Sequence, residues 1–475
     1  MQTIMTWHPI LAAAEQAEHT TAPVSSGVTT LFTLILVAMI LSLAFEEKLH
    51  AKKSLIVGLF GVLCLLIGPM FHIIPFGMVT LPGEHLLEMP VYIPAVDWGV
   101  MAIILGSSIF VDVTSKSGLF TWVAIRLTKA SRGDPLKLLW YYGLMTVVFS
   151  AVLNNVTAMI IMGSLTGVSL TKLNRRNQLL GFLLIEGLLT NIGGLLTLIS
   201  SVPNIIVGNA AGISFVTFFV KASPYVVVST VFTLYLGARL FGIKRLINAD
   251  EKGVAAELVD GFDENDGIQS WAFFKFGVVM LILFILTIAT TSIMPVIRDL
   301  GMGFVAMAFA LVMLTRFKSE VDQFYRTVDW DLLGFFAGLF IVINVMEHAQ
   351  VLQLIGKGIS MIIGSQENPM GTGALLVSAA AFSSVTDNIP LSAMLAKILV
   401  ASDTPGSSPL WWSVVFGANL GGNLTPIGSA STLVAVTIIH KNKLPISFIG
   451  FVKIAIPYAT MQIALATAYV LIFLR

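Results

Sequence analysis

Four short polar runs interrupt an otherwise apolar chain, and their side chains are the ones able to bind an ion. They read Leu153-Asn-Asn-Val-Thr-Ala158, Asn191-Ile-Gly-Gly with Thr197 and Ser200-Ser-Val-Pro-Asn204, Val385-Thr-Asp-Asn-Ile-Pro390, and Asn419-Leu-Gly-Gly-Asn-Leu-Thr-Pro-Ile-Gly-Ser429. Asn154, Asn155, Thr157, Asn191, Thr197, Ser200, Ser201, Thr386, Asn388, Asn419, Asn423, Thr425 and Ser429 supply hard, small oxygen ligands. Such ligands suit Na+ or Li+ and suit soft metals poorly. Asp387 is the one ionisable member of the set. A carboxylate among apolar residues is costly to hold unless a proton or a cation neutralises it. Asp387 can take either and not both, so H+ competes with Na+ or Li+ for one charge, and competition is sufficient for exchange. This reading needs a carboxyl kept from bulk water and free of any permanent basic partner. The plain alternative is an Asp that caps a helix.

Other acids fall within apolar segments. Glu186 lies one turn before Thr190 with no basic residue near it in sequence, and is a candidate second proton carrier. Asp112 is another, although Lys116 four residues on makes a local ion pair an equal reading. Glu347 and His348 form a candidate pH sensor, since His titrates near neutrality; a solvated interfacial pair is the alternative. Asp97 and Asp329, each followed by Trp, read as helix caps.

The elements that must position these groups follow from composition. Of 475 residues 56% are apolar and 11% charged, with mean hydropathy +0.90, whereas soluble domains carry about a quarter charged residues. A polytopic helical membrane protein accounts for this; a soluble core does not. The net charge of +1 lacks the basic surface that nucleic acid requires. The single Cys64 excludes an internal disulfide and a cysteine metal site. No GxxxxGK[ST] loop and no HExxH motif occurs, so no cofactor is expected and transport must run on an ion gradient or a potential.

About 20 apolar residues cross the roughly 30 Å hydrocarbon core, and Lys and Arg stay inside. Residues 28–45, 54–75, 98–117, 178–208 and 215–241 thread the first half, and 271–295, 301–314, 330–346, 412–439 and 448–474 the second, with both termini outside. The loop through Glu84 and Glu88 has neither Lys nor Arg, as an external loop should. Residues 138–170 and 370–401 are too short for two crossings each and carry flanking charges of one sign. They read as re-entrant hairpins, with polar midpoints at Asn154 and Asn155 and at Thr386 to Asn388 near mid-membrane. Glycines and prolines should unwind 178–208 and 412–439 at their centres. Of the 27 Lys and Arg, all but Lys221, Arg298, Lys357, Lys397 and Arg475 then fall at the inner face. Residues 118–130 and 351–363 are amphipathic and suit helices lying in the interface. Residues 1–27 lack a basic n-region and read as an extracytoplasmic segment. Residues 246–270 read as an acidic cytoplasmic linker without periodicity.

The halves match. Val96-Asp-Trp98 pairs with Val328-Asp-Trp330, Asn154-Asn155 with Asp387-Asn388, and Asn191-Ile-Gly-Gly with Asn419-Leu-Gly-Gly, at offsets of 232, 233 and 228 residues. The expected fold is therefore an all-α polytopic membrane protein of two inverted-topology repeats, 28–245 and 271–475. Each has five crossings, one re-entrant hairpin and one discontinuous helix. In such folds one midplane cavity between the repeats holds the site. It would be lined by both hairpin tips and both interruptions.

These paired interruptions resemble those of the ion transporter superfamily, which includes sodium-coupled dicarboxylate carriers, citrate carriers, arsenite efflux carriers and NhaD-type sodium/proton antiporters. The runs Leu153-Asn-Asn-Val-Thr-Ala158 and Val385-Thr-Asp-Asn-Ile-Pro390 are most similar to the NhaD type. The resemblance implies an elevator-like movement, a homodimer in the lipid of a bacterial inner membrane, and export of Na+ or Li+ for external H+ in pH homeostasis. The second hypothesis is a sodium-coupled dicarboxylate or citrate symporter. Dicarboxylate carriers have Ser-Asn-Thr at both tips; Asp387 departs from that, and a fixed negative charge there would repel a dicarboxylate. Ala430-Ser431 also replaces the Pro-Asn of the first interruption. A passive channel, a third class, would carry ions without proton coupling.

Overall fold

The computed structural model describes residues 24–74, 78–81, 85–318, 321–364 and 368–474. Most of the N-terminal segment, Glu84 and Arg475 lie outside the described residues. The first half runs α1 (Ser26–Ala44), α2 (Glu46–Leu49), α3 (Lys53–Met70), β1 (Met78–Leu81), β2 (His85–Glu88), α4 (Tyr92–Ala95), α5 (Trp98–Ser115), α6 (Leu119–Ser131), α7 (Pro135–Val152), α8 (Asn155–Lys172), α9 (Leu179–Gly194), α10 (Val202–Ala210) and α11 (Phe215–Leu240). After α12 (Ala249–Asp260) the second half runs α13 (Trp271–Thr290), α14 (Pro295–Leu314), α15 (Val321–Thr327), α16 (Trp330–His348), α17 (Val351–Ile363), α18 (Pro369–Ser383), α19 (Asn388–Ala401), α20 (Pro409–Gly421), α21 (Ala430–Lys441) and α22 (Phe448–Phe473). Among the described residues nine helices are long and apolar enough to cross a membrane. The protein is a multi-pass, almost wholly helical membrane protein.

Local chemistry sets the helix ends. Asp97 accepts from Val100 N at 3.0 Å and Asp329 from Leu332 N at 2.9 Å, so both are caps, as expected. The helices break at residues 195–201 and 422–429, within the two glycine-bearing runs. The structure adds four details to these expectations. The linker is not structureless, because Asn248 caps α12 and starts a helix through residue 260. The short strands β1 and β2 pair antiparallel, with Val79 opposite Leu87, beside an otherwise helical fold. The helix after Thr290 starts at Pro295 and kinks at Gly301, whose positive φ no helix accommodates. The arms of the first hairpin are 18 residues each, about 27 Å, whereas those of the second are 15 and 14 residues, about 22 and 21 Å. The arms of the first hairpin are thus longer than those of the second.

Two bodies are visible in the packing. In one, α3 lies along α16 and α5 along α14, with α1 and α13 against them. In the other, α7, α8 and α9 pack together and α18, α19 and α20 do likewise; α21 joins α8 to α9, and α11 packs on α22. The two amphipathic helices connect them, α6 leaning on α7 and α8, and α17 on α18 and α19.

The same contacts recur in both halves. Ser150 Oγ donates to Thr190 O at 2.6 Å and Ser383 Oγ to Ala418 O at 2.5 Å. Thr197 Oγ1 donates to Ala151 O and Thr425 Oγ1 to Ser384 O, both at 2.5 Å. Trp98 Nε1 reaches Ile93 O at 3.0 Å, and Trp330 Nε1 reaches Tyr325 O at 2.9 Å. A Cβ on Gly193 would strike Val147 O at 2.6 Å, and one on Gly421 would strike Ala380 O. Both glycines thus let a broken helix touch the first arm of its hairpin. Buried Tyr225 and Tyr458, each after a proline, add a matched pair at offset 233.

Candidate functional site

The four polar runs separate into two places. The amides of the interruptions meet in a closed network at the core of the second body. Asn191 Nδ2 donates to Asn423 Oδ1 at 2.8 Å and to Ser429 Oγ at 2.9 Å. Ser201 Oγ donates to Asn419 Oδ1 at 2.7 Å, and Asn419 Nδ2 to Asn204 Oδ1 at 2.9 Å. Each repeat's leading Asn thus bonds the other repeat's Ser, so the halves are cross-linked through their breaks. Asn423 Nδ2 continues to Gln462 Oε1 at 2.8 Å. The carbonyls freed at Gly194 and Thr197 accept from Asn204 Nδ2 at 2.7 and 2.9 Å, and from Ser200 Oγ at 2.5 and 2.8 Å. Asn191, Asn204, Asn419 and Asn423 have no exposed surface. Buried polar groups satisfy one another when they can, and these amides do so.

A cavity of about 1260 Å³ lies between the two bodies, and the second hairpin tip faces it. Thr386, Asp387, Asn388 and Ser429 line it, together with Glu46, Lys48, Lys53, Asp329 and Asp331. Apolar walls come from α1, α16, α17, α18 and α19. At about 30 Å³ per water it has room for about 40 waters. Neither Asn154, Asn155 nor Thr157 contributes to its lining, nor do Thr197, Ser200, Ser201, Asn423 or Thr425. The second tip lines this cavity, whereas the first bonds within its own body, with Asn154 exposed and Asn155 and Thr157 half-buried. Asn154 caps α8 through Thr157 N at 2.7 Å. Asn155 accepts from Ser150 Oγ at 2.9 Å and donates to Asn191 Oδ1 at 3.3 Å.

Asp387 caps α19, accepting from Ile389 N at 3.0 Å. Its other oxygen accepts from Lys53 Nζ at 2.6 Å. The two side chains are 17% and 31% exposed, partly withdrawn from solvent. The condition that Asp387 has no basic partner is thus not met, and the capping alternative holds alongside the ion pair. Glu46 Oε1 stands 3.8 Å from the same ammonium. Asp331 accepts from the hydroxyl and the N–H of Ser54, next in sequence to Lys53. Lys53 and Ser54 open α3, and Asp331 is in the first turn of α16. The tip therefore sits level with the basic ends of those helices, beside Lys48 and Lys52, and not midway along them.

The remaining candidates scatter. Glu186 is fully buried in α9; Oε1 accepts from Thr166 Oγ1 at 2.6 Å, while Oε2 has no partner. Asp112 is half-buried on α5, away from the cavity lining. Glu347 pairs with Lys397 of α19 at 3.1 Å, and His348 Nδ1 contacts Asn344 O of its own helix at 2.8 Å. The pair expected to sense pH together is thus split between two partners.

Sequence reasoning missed Lys53. It falls among the basic residues of the inner face, and nothing local marks it, since its partner is 334 residues away.

The family model for citrate transporters (CitMHS) matches residues 40–417. The chain is 34% identical to the 46 kDa membrane protein of Mycobacterium leprae over 380 residues, covering 79% of this chain and 86% of that one. It is 31% identical to the uncharacterized transporter Rv2684 of Mycobacterium tuberculosis over 384 residues, with the same coverage of each. Among solved structures it resembles the YdaH transporter of Alcanivorax borkumensis, with TM-score 0.57, 12% identity and coverage of 89% and 98% of the two chains. That likeness is one of fold.

Proposed function

The chain belongs to the citrate transporter family of membrane transporters, and from that premise we propose a secondary active carrier whose coupling ion binds at Asp387. The observation that carries the proposal is a carboxylate on a hairpin tip, partly withdrawn from solvent and facing a large cavity. Four carboxylates line that cavity against two lysines, which favours a cation. The first reading is exchange of Na+ or Li+ for H+, of the NhaD type, with Thr386, Asn388 and Ser429 nearest to complete the shell. Lys53 does not remove this reading, because it stands on the other body. A hairpin that moved away from α3 would leave its charge behind, and Asp387 would again need a proton or a cation. Such movement, an elevator between two inverted repeats, is part of the proposal, as is a homodimer.

Glu186 is the proposed second proton carrier. A carboxylate charge with an unpartnered oxygen and no exposed surface would cost several kcal/mol without a cation beside it. Glu186→Gln should change the proton dependence of transport and leave binding at Asp387 in place.

The second reading is symport of a citrate-like or dicarboxylate anion with a cation. It is favoured by the family and by a cavity far larger than an alkali ion requires. Lys53 also neutralises the charge that would have repelled such an anion. Everted vesicles holding a pH gradient separate the readings. Collapse of the gradient on adding Na+ or Li+ supports exchange; Na+-dependent uptake of citrate or succinate supports symport. Ion flux without proton or anion coupling would defeat both.

A further inference from the structure

We infer that Lys53 is the resident counter-ion of the Asp387 site in one conformation only, a latch between the two bodies that the coupling ion must displace. The inference rests on Asp387 as the ion site. Its geometry is independent of the cargo. Lys53 opens α3, which lies along α16 in the first body, whereas Asp387 heads α19 in the second. The 2.6 Å pair therefore crosses the cavity between bodies. A second pair, Glu347 of α16 with Lys397 of α19 at 3.1 Å, crosses the same boundary with the charges exchanged. The hairpin is thus held to the first body at its tip and again ten residues along, about 15 Å away.

The two partners of the latch are unequal once it opens. Lys53 keeps Glu46 at 3.8 Å, and Asp331 stands beside it on Ser54, so the ammonium is not left alone. Asp387 keeps only its cap bond to Ile389 N among its described partners. The cost of opening therefore falls on the carboxylate, and a bound Na+, Li+ or H+ relieves it. An empty carrier stays latched and a loaded one is released, which ties movement to occupancy without any further gate. The second pair is about half exposed at both ends, so it contributes little and does not select the ion.

The test reads position and needs no cargo flux. Val385 at the tip faces the cavity, and the native Cys64 is fully buried, so Val385→Cys provides a clean label site. In Na+-free buffer a membrane-impermeant maleimide should reach this cysteine from the inner side only. Adding Lys53→Met should raise labelling from the outer side at least about fivefold, the low end of usual coupling between sites, and the rise should need Na+, Li+ or low pH. Asp387→Asn should give the same rise with no ion requirement. Lys53→Arg, and the exchange Lys53→Asp with Asp387→Lys, should restore inner-side labelling. Unchanged labelling in Lys53→Met and Asp387→Asn would overturn the latch. A rise in Lys53→Met that ignores Na+, Li+ and pH would instead remove Asp387 as the ion site. Should Lys53→Met fail to reach the membrane, Asp387→Asn and the exchanged pair decide the question.

Discussion

At the first hairpin tip, Asn154 caps α8 while Asn155 is bonded to Ser150 and Asn191 within its own body. At the second, Asp387 caps α19 from the position matching Asn154, yet its other oxygen reaches Lys53 on the opposite body. One tip is bonded within its own body and the other is tied across a cavity. The difference is a change of type at matched positions, amide to carboxylate, with Lys53 opposite the carboxylate. Of the two matched tips only the second carries a charge, and that one faces the cavity.

Variants can break this contrast. The largest effect should come from Asp387→Asn, which is expected to reduce coupled transport in vesicles to background while the protein remains in the membrane. Adding Asn154→Asp to it should not restore transport, because that carboxylate would face neither the cavity nor Lys53. Recovery in the double variant would make the tips interchangeable. Next, Asn191→Ala should lower the melting temperature in detergent by several degrees, since each buried partner left unsatisfied costs about 1–3 kcal/mol. Asn388→Ala, facing the cavity, should move it by about 0.5 kcal/mol at most. Equal losses would erase the distinction between the buried amide network and the cavity-facing tip.

Smaller effects test the equivalence beneath the contrast. Gly193→Ala and Gly421→Ala should each destabilise by about 1–3 kcal/mol through overpacking against the hairpin arm. Ser150→Ala and Ser383→Ala should each cost about 1 kcal/mol, the worth of one hydrogen bond, and should match within error in thermal unfolding. A pair of values that differed widely would argue against a shared repeat geometry. Least of all, Glu347→Gln should change stability by about 1 kcal/mol or less, as exposed ion pairs do.

Much of the architecture was legible because the bilayer limits what an apolar chain can do. The two breaks, the two hairpins and both amphipathic arms were marked by glycine, proline and length. Matched motifs pointed to duplication, and the hydrogen bonds of Ser150, Ser383, Thr197 and Thr425 repeat at the same offsets. The site was less legible. Side-chain types announced oxygen ligands but not whom they would bond, and most of the amides bond one another. The helix in the linker is marked only by its Asn248 cap and by Ala255 and Val259 four residues apart, too short a pattern to stand out in an acidic stretch.

The amino-acid order alone determined that this chain lives in a membrane, folds as two matched helical halves and bears one carboxylate at a polar tip, because hydropathy, helix breakers and residue type act locally. Only the tertiary structure decided that Asp387 meets Lys53, that Asn155 bonds Asn191 and that Glu186 keeps a free oxygen in the core. Charge pairing depends on distance in space, and 334 residues of intervening chain carry no record of it.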